Sequence, residues 1–329
     1  MGDESGIHTA VSASGALGLG VSVYLPRGEH DRQSIISRSY APLIREFGLT
    51  GFGLAGERWR PPDEVEVFGS LSEVNLPINR LIVVTPTYSL NEMADQLSNC
   101  RAVNRATSVY LFCNGWVEPN PILQVVPKER VFNAVVMVGS LRRSPNVAQI
   151  TVNAGILLGS LYGASLDDAE GLAASLTAGG LPSRTTREIG EAMWRKIAFN
   201  TAGAITAPLG IPLGGLLQPK FRTRVERVAA EVWRASIAAG FMSFATEADA
   251  INDVWARIKI SATHVASIAK SIQNGGPTEI GSMAGAIVRI AEQNGWAAEE
   301  CARVLNEVRR VERIRAGGYV HEQQFAGAA

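Results

Sequence analysis

Composition and charge describe a globular chain and exclude two classes of partner. The chain has 329 residues, of which 46% are apolar and 19% charged, and its formal net charge is zero. It can bury a large core, and its length favours two domains over one. Because no long run of Lys or Arg occurs, we expect neither nucleic acid nor an anionic membrane surface as a partner.

Signals for targeting, membrane insertion and metal binding are also missing. The first six residues are acidic rather than basic, and no apolar run of about 18 residues follows. We therefore predict a cytoplasmic protein without a signal peptide or a membrane span. Three cysteines at unrelated spacings and four scattered histidines predict neither a disulfide framework nor a metal site.

The first predicted element is a short strand that enters a glycine-containing turn. Residues 9–18 give the order strand, turn and helix, which a dinucleotide site requires. Against the pattern G-x-G-x-x-G the chain supplies Ala13, Gly15 and Gly18, so that the first glycine is replaced. Ordinary packing of a Gly/Ala-rich turn is the alternative. The predicted cofactor-binding residues of this turn are Ser14, Gly15, Ala16, Leu17 and Gly18.

Arg38 ends the next short apolar run, residues 33–38, about twenty residues after the glycine turn. At this position an acidic residue would bind the 2′-hydroxyl of the ribose, whereas an arginine can bind a 2′-phosphate. We therefore predict NADPH rather than NADH as the cofactor. The alternative is that Arg38 is a solvated loop charge.

Two further apolar runs, residues 80–85 and 108–113, are typical of buried parallel strands, with a helix predicted near 90–97 between them. The second run ends at Asn114-Gly115. This places a small amide at the carboxyl edge of the sheet, where open α/β folds bind ligands. A plain Asn-Gly turn is the alternative.

The remaining elements of the first half end at a glycine-rich break. Residues 131–138 and 147–152 are predicted as two strands of a hairpin or meander, and residues 167–178 as a helix. The break Gly179-Gly-Leu-Pro-Ser183 is typical of a hinge. We place the domain boundary there, which gives an α/β domain over 1–183 and a second domain over 184–329.

The second half shows helical patterns and no convincing strand, so we predict an all-α domain. Within the first helix, Lys196 and Asn200 lie one turn apart and share a face beside a stripe of apolar residues. Either the lysine has a chemical role there, or its stem crosses apolar surface to reach solvent. The predicted helices cover 187–207, 220–239, 247–274, 278–294 and 298–314.

Glu279 stands at the start of a predicted helix, after Gly-Gly-Pro. A carboxylate in a first helical turn is favoured by the helix dipole, which is the structural alternative to a functional role. Ser267, twelve residues earlier, carries no signal when it is taken alone.

Taken in order, these segments resemble the ketopantoate reductase family over nearly the whole chain. The resemblance implies a Rossmann-type α/β NADPH domain followed by an all-α domain, with a 2-oxo acid reduced to a 2-hydroxy acid in the cleft between them. It rests on the turn at 14–18, Arg38, the strand end Val84-Thr-Pro-Thr87, Asn114-Gly115, the helix at 194–200, and Ser267 with Glu279.

The resemblance also implies roles for individual residues. Lys196 would be the catalytic lysine and Glu279 its acidic companion. Hydride transfer to a carbonyl carbon leaves charge on the oxygen, which an ammonium group can stabilise before it donates its proton. This chemistry requires no metal. The implied substrate-binding residues are Asn114, Asn200 and Ser267, and the implied cofactor contacts beyond the glycine turn and Arg38 are Thr85, Thr87 and Asn114.

Departures from the family pattern bear on the substrate. Thr87 stands where the family has a lysine, and Ala204 stands where a second asparagine would follow Asn200. Both changes remove hydrogen-bonding groups from the substrate side. We therefore predict reduction of a carbonyl or imine in a compound other than ketopantoate, larger and less polar.

Two alternatives to a reductase stay open. The fold could serve a non-redox step such as cyclisation or isomerisation, with the cofactor structural or absent, or the protein could bind a ligand without turnover. The altered glycine turn and the reduced set of polar residues motivate the non-redox alternative. In every case the expected partner is a small molecule, and a homodimer is left open.

Overall fold

The chain forms two compact units. The first comprises Met1–Cys113 and Pro119–Ile189, and the second comprises Asn114–Glu118 and Gly190–Ala329. The computed structural model describes residues 6–13, 15–26, 28 and 30–326, with side chains up to Arg315. All strands of these described residues lie in the first unit, so the prediction of an α/β part followed by an all-α part is confirmed.

One sheet organises the first unit, in the order β4-β3-β9-β8-β7-β6-β1-β2-β5, with β10 paired to β9. The described residues of this unit form the α-helices α1 (Ala16–Tyr24), α2 (Ala41–Phe47), α3 (Leu90–Ser98) and α4 (Asp167–Ala178). The strands are β1 (His8–Ser12), β2 (Arg32–Ile36), β3 (Leu49–Gly53), β4 (Arg58–Arg60), β5 (Glu66–Phe68), β6 (Arg80–Val83), β7 (Ser108–Leu111), β8 (Val131–Ser144), β9 (Val147–Gly159) and β10 (Ser183–Thr185).

The central strands of the sheet are parallel, and the chain adds its strands first on one side of β1 and then on the other. From β1 the chain adds β2 and later β5 on one side, whereas β6 and β7 follow on the other side. Strands β1 and β7 are buried along their whole length, as expected for strands covered on both faces. The carboxyl ends of β1 and β6 therefore meet at a topological switch point, where open α/β sheets bind ligands.

The long strands β8 and β9 pair antiparallel and extend well beyond the residues predicted from the sequence. Their register shifts at three places along the pair, which is the behaviour of β-bulges that bend a sheet. Helix α1 packs closely on them: a Cβ on Gly20 would lie 2.9 Å from Ser140 Oγ and 3.2 Å from Ile150. A side chain at position 20 would therefore require the side chains of Ser140 and Ile150 to move.

The predicted boundary between residues 183 and 184 falls within β10, after the first residue of this strand. This strand pairs in parallel with residues Ile156 to Leu158 of β9, and it is therefore part of the sheet of the first unit. The first unit continues to Ile189.

Helices form most of the described part of the second unit. The helix predicted over 247–274 is wrong as one element, because it is interrupted between Ile260 and Ser267. In the interruption the carbonyl groups of Ala262 and His264 accept hydrogen bonds from Gly214 and Leu213. The helices are α5 (Ile189–Ala204), α6 (Arg222–Ala238), α7 (Glu247–Ile260), α8 (Ser267–Gln273), α9 (Ala284–Gln293) and α10 (Glu299–Ala326).

The core of the second unit is built from α5, α6, α7, α9 and α10. Its largest fully buried side chain is Trp194 of α5, accompanied by Val232, Ile258 and Ile287. Within the part of the chain that the structure describes, no helix is both long and apolar enough to cross a membrane.

Candidate functional site

A cavity of about 650 Å³ opens in the first unit at the carboxyl ends of β1, β2, β5 and β6. Ser12, Ile36 and Thr85 line it where their strands end, and α3 forms one wall. The Ser12 hydroxyl accepts a hydrogen bond of 2.9 Å from the backbone N–H of Val84, which joins the ends of β1 and β6. The cavity thus lies at the switch point of the sheet.

The turn from β1 into α1 fits the phosphate groups of a dinucleotide. Gly15 is the N-cap residue of α1, and among the described residues no side chain caps the helix and no acidic residue occupies its first turn, which Ala16 and Leu17 begin. The backbone N–H groups at this end are therefore suited to an anion. A Cβ on Gly18 would lie 2.8 Å from both Ala13 Cα and Ser12 O, so glycine permits the close packing of helix and strand.

Ala13, which replaces the first glycine of the pattern, is compatible with this turn. Among the described residues no non-glycine residue has a positive φ, so the backbone at Ala13 can carry a side chain without strain. Ser14, the first predicted cofactor-binding residue, lies outside the described residues.

Arg38 lies just beyond β2 and lines the cavity. Its side chain is 80% exposed, and its Nη2 lies 3.4 Å from Oε1 of Glu92 on α3. Thr85 lies at the cavity wall as well, whereas Thr87 begins the short 3₁₀ turn Thr87–Ser89 that leads into α3. Of the cofactor contacts predicted in the first unit, Arg38 and Thr85 therefore line this cavity.

In the second unit, the structure brings Asn114 onto Glu279. The side-chain Nδ2 of Asn114 donates to Oε2 of Glu279 at 3.1 Å, and its backbone N–H donates to Oε1 at 3.4 Å. Glu279 does not lie within a helix; it precedes the 3₁₀ turn Ile280–Ser282, which leads into α9. Its carboxylate is therefore held by Asn114, in addition to any effect of a helix dipole.

Ser282 fixes the two chain segments against each other. Its hydroxyl donates toward the carbonyl oxygens of Asn114 and Glu279, at 3.2 and 2.9 Å, and its carbonyl accepts from the backbone N–H of Trp116 at 2.7 Å. Gly115 has a φ of +97°, and a Cβ there would collide with Ser282. Only glycine satisfies both requirements, so Asn-Gly is more than a flexible turn at this point.

Trp116 connects the same segment to α5. Its ring lies 5.1 Å from that of Trp194 and 5.3 Å, edge-on, from that of Phe241. Trp194 precedes Lys196 by two residues on α5. The aromatic contacts thereby hold the Asn114 segment on the helix that carries Lys196 and Asn200.

Lys196 and Asn200 are half-buried and share one face of α5 with Gly203. A Cβ on Gly203 would lie 3.7 Å from the Cβ of Ala266, the residue directly before Ser267. Ser267 begins α8 and is exposed. This face of α5 therefore approaches the start of α8, whereas Ala204 is fully buried.

Sequence reasoning did not identify several residues of the cavity in the first unit and of the surroundings of Asn114 and Glu279 in the second. Ser282 and Trp116 carried no motif, and Glu92 had the appearance of an ordinary charge on an exposed helix face. Lys270 of α8 lies one turn after Ser267, and burial lowers its pKa. Burial, together with the charge of Lys270, likewise lowers the pKa of His264.

Family models match both halves of the chain. The model described as "Ketopantoate reductase PanE/ApbA" matches residues 10–168. The model described as "Ketopantoate reductase PanE/ApbA C terminal" matches residues 188–312. Together the two matches include the glycine turn, Arg38 and Asn114 on one side, and Lys196, Asn200, Ser267 and Glu279 on the other.

Individual relatives agree with these matches. The 2-dehydropantoate 2-reductase of Aquifex aeolicus (strain VF5) is 24% identical over 288 residues, which are 85% of this chain and 89% of that protein. The solved structure of 2-dehydropantoate 2-reductase from Geobacter metallireducens GS-15 has a TM-score of 0.82 at 21% identity, over 92% of this chain and 99% of that one. A structure of D-mandelate dehydrogenase with NADH and anilino(oxo)acetate has a TM-score of 0.81 at 19% identity, over 94% and 100%. At these identities the two structures show a shared fold.

Proposed function

Because the chain belongs to the ketopantoate reductase family, whose relatives named above are oxidoreductases, we propose that it reduces a carbonyl or imine group of a small metabolite with NADPH. We further propose that ketopantoate is not its substrate. The observation that carries the proposal is the hydrogen-bonded pair of Asn114 and Glu279, held by Trp116 on the helix of Lys196 and Asn200.

The residues of the second unit suit this chemistry. A bound reduced nicotinamide would supply hydride to the carbonyl carbon. The Lys196 ammonium would stabilise the charge that develops on the carbonyl oxygen and donate the proton to it. Glu279, oriented by Asn114, would in turn orient the lysine or accept a substrate hydroxyl, and Asn200 and Ser267 would bind further polar groups of the substrate.

The choice of NADPH is supported by Arg38. Its side chain is largely exposed at the wall of the cavity of the first unit, directly after β2, where a 2′-phosphate is bound in dinucleotide folds. The turn that leads from β1 into α1 would hold the pyrophosphate through Gly15, Ala16 and Leu17.

The exclusion of ketopantoate is supported by what this chain has lost. Thr87 and Ala204 replace two polar side chains of the family pattern, and each substrate group left without a partner costs about 1–3 kcal/mol. A protein of the same fold has been solved with anilino(oxo)acetate, so the fold accommodates an aromatic compound. We therefore propose a substrate that is larger and less polar than ketopantoate.

Two measurements test the proposal. NADPH and NADH are titrated by cofactor fluorescence into the wild type and Arg38→Ala, and we expect a preference for NADPH that the substitution abolishes. NADPH oxidation is then followed with ketopantoate and with a panel of larger ketones and imines, while product is measured separately without cofactor.

The outcomes distinguish the hypotheses. Efficient turnover of ketopantoate would contradict the proposed substrate class, and equal affinity for both nucleotides would contradict the proposed cofactor. Product formed without NADPH consumption would move the assignment to a cyclase or isomerase. If neither NADPH nor NADH binds, the proposed reductase function is contradicted altogether.

A further inference from the structure

We propose that Glu92 is a specificity-determining residue of the cofactor cavity, where its carboxylate competes with the 2′-phosphate of NADPH for Arg38. The proposal rests on the proposed function, since it assumes that this cavity holds a nicotinamide dinucleotide. Glu92 is then a second residue that affects the choice between NADPH and NADH. Its effect on the affinity for NADPH is opposite to that of Arg38.

The geometry places Glu92 on the arginine that would bind the phosphate. Oε1 of Glu92 lies 3.4 Å from Nη2 of Arg38, and both residues line the same cavity. The amide Nε2 of Gln96, one turn later on α3, donates to the same oxygen at 3.3 Å. Because α3 is a regular helix, this i,i+4 contact holds the carboxylate toward the cavity side of the helix.

The net charge of the cavity wall opposes the binding of a phosphate, although Arg38 by itself would favour it. The charged residues among the described lining are Arg38, Glu92 and Asp95, which together carry one net negative charge. A phosphate monoester brings about two further negative charges near neutral pH. A ribose 2′-hydroxyl brings none, and it can donate a hydrogen bond to a carboxylate.

Two consequences follow for the bound nucleotide. A 2′-phosphate shares the N–H donors of Arg38 with Glu92, which weakens the contact that it makes, and the Glu92 carboxylate beside Arg38 repels the phosphate. Neither effect applies to NADH. Glu92 therefore moderates the preference for NADPH that Arg38 creates, and the wild-type protein should bind both nucleotides.

The substitution Glu92→Gln tests this with binding alone. It retains the shape and a hydrogen-bonding oxygen but removes the charge. We expect NADPH affinity to rise about two- to fivefold, which is the upper part of the range of a solvent-exposed charge contact, while NADH affinity stays unchanged. Because both residues are largely exposed, the gain should shrink as salt is raised from about 50 to 500 mM.

A matched control is available on the same helix. Asp95→Asn removes an identical charge from the same cavity wall without touching the ion pair of Arg38. The effect that belongs to the pair is the excess of the Glu92→Gln shift over the Asp95→Asn shift. Thermal unfolding of each variant verifies that its fold is intact.

Each outcome has one meaning. An NADPH-specific gain in Glu92→Gln that exceeds that of Asp95→Asn supports the proposal. Equal shifts in the two variants, or no shift in Glu92→Gln while Arg38→Ala still abolishes the preference, overturn it and leave the proposed function standing. Absence of binding of both nucleotides to the wild type overturns the proposed function and this inference together.

Discussion

Glu279 and Asn114 are joined by two hydrogen bonds, one to the side-chain amide and one to the backbone N–H, although 165 residues separate them in the chain. An amide that donates to a carboxylate fixes its orientation while adding no charge of its own. Asn114 is therefore suited to positioning the carboxylate of Glu279, whatever further contact it makes with a substrate.

If Asn114 acts through Glu279, the two residues should behave as a unit. We expect Asn114→Ala to lower kcat about tenfold, and Glu279→Gln to lower it by a similar or larger factor. The double variant should be little worse than Glu279→Gln alone, because the amide then has no carboxylate to orient. Steady-state kinetics of the four proteins measure the coupling, and fully multiplicative losses would mean that the residues act separately.

Lys196 is expected to act on the substrate and not on the cofactor. Lys196→Ala should lower turnover by roughly a hundredfold or more, because a general acid contributes about that much, while NADPH binding stays close to that of the wild type. Lys259→Ala on the exposed end of α7 is the matched control and should change neither quantity. Equal losses of binding and turnover in Lys196→Ala would assign the lysine a structural role.

Arg224 holds the start of α10 against α6. Its guanidinium binds Glu300 at 2.5 Å and Glu307 at 2.8 Å, and the Glu300 side chain is only 2% exposed. Arg224→Met should lower the free energy of unfolding by up to about 3–5 kcal/mol, since the buried Glu300 carboxylate then keeps only the exposed Arg303, at 3.4 Å, as an ion-pair partner.

Two variants make the Arg224 experiment specific. The double substitution Arg224→Met with Glu300→Met should recover most of the loss, because the buried charge is then gone as well. Arg222→Met, which breaks an ion pair whose arginine is 76% exposed, should cost less than about 1 kcal/mol. Denaturant unfolding measures all of them, and similar losses for Arg222→Met and Arg224→Met would refute the account.

His8 should make stability depend on pH. Its Nδ1 lies 3.0 Å from the Pro77 carbonyl oxygen, which can only accept, so Nδ1 carries the proton and Nε2 accepts from Ser34 at 2.7 Å. Burial lowers the pKa of His8 below its usual 6.5, and it outweighs the opposing effects of the Pro77 hydrogen bond and the Glu66 charge.

The direction of the effect follows from where protons bind. Below pH 6.5 the unfolded chain protonates this histidine before the folded protein does, so acid favours unfolding. The free energy of unfolding should be constant in this respect above pH 6.5 and fall below it, by at most about 1.4 kcal/mol per pH unit. Urea titrations at pH 7.5, 6.5 and 5.5 measure this. His8→Gln should flatten the profile only in part, because the pKa of His264 is lowered as well and its protonation also favours unfolding in acid. An unchanged slope would exclude His8 as the cause.

Elements with strong local patterns could be predicted from the sequence. Strands β6 and β7 are short runs of buried apolar residues, and α5 has a clear helical stripe. Strands β4 and β5 are three residues each, too short to show any periodicity. The break between α7 and α8 depends on hydrogen bonds to Leu213 and Gly214, which no local pattern contains.

The candidate site likewise contains residues that could be predicted from the sequence and residues that could not. Residue types and spacing indicated Lys196 with Asn200, and the position of Arg38 after β2. The contacts of Asn114 with Glu279 and of Arg38 with Glu92 join residues far apart in the chain, so they depend on the tertiary fold. Ser282 could not be identified, because a single serine in a turn has no distinguishing pattern until its partners are known.

The connectivity of the two units limits how this protein can be divided. Residues Asn114–Glu118 belong to the second unit, although the chain on both sides of them belongs to the first. No single cut of the polypeptide therefore separates the units intact. A fragment that begins at Gly190 would lack Trp116, the ring that covers Trp194 and Phe241. A chimera of two family members joined at the end of the α/β part would take Trp116 from one parent and Trp194 with Phe241 from the other. Residues Asn114–Glu118 and the helical unit therefore have to come from the same parent.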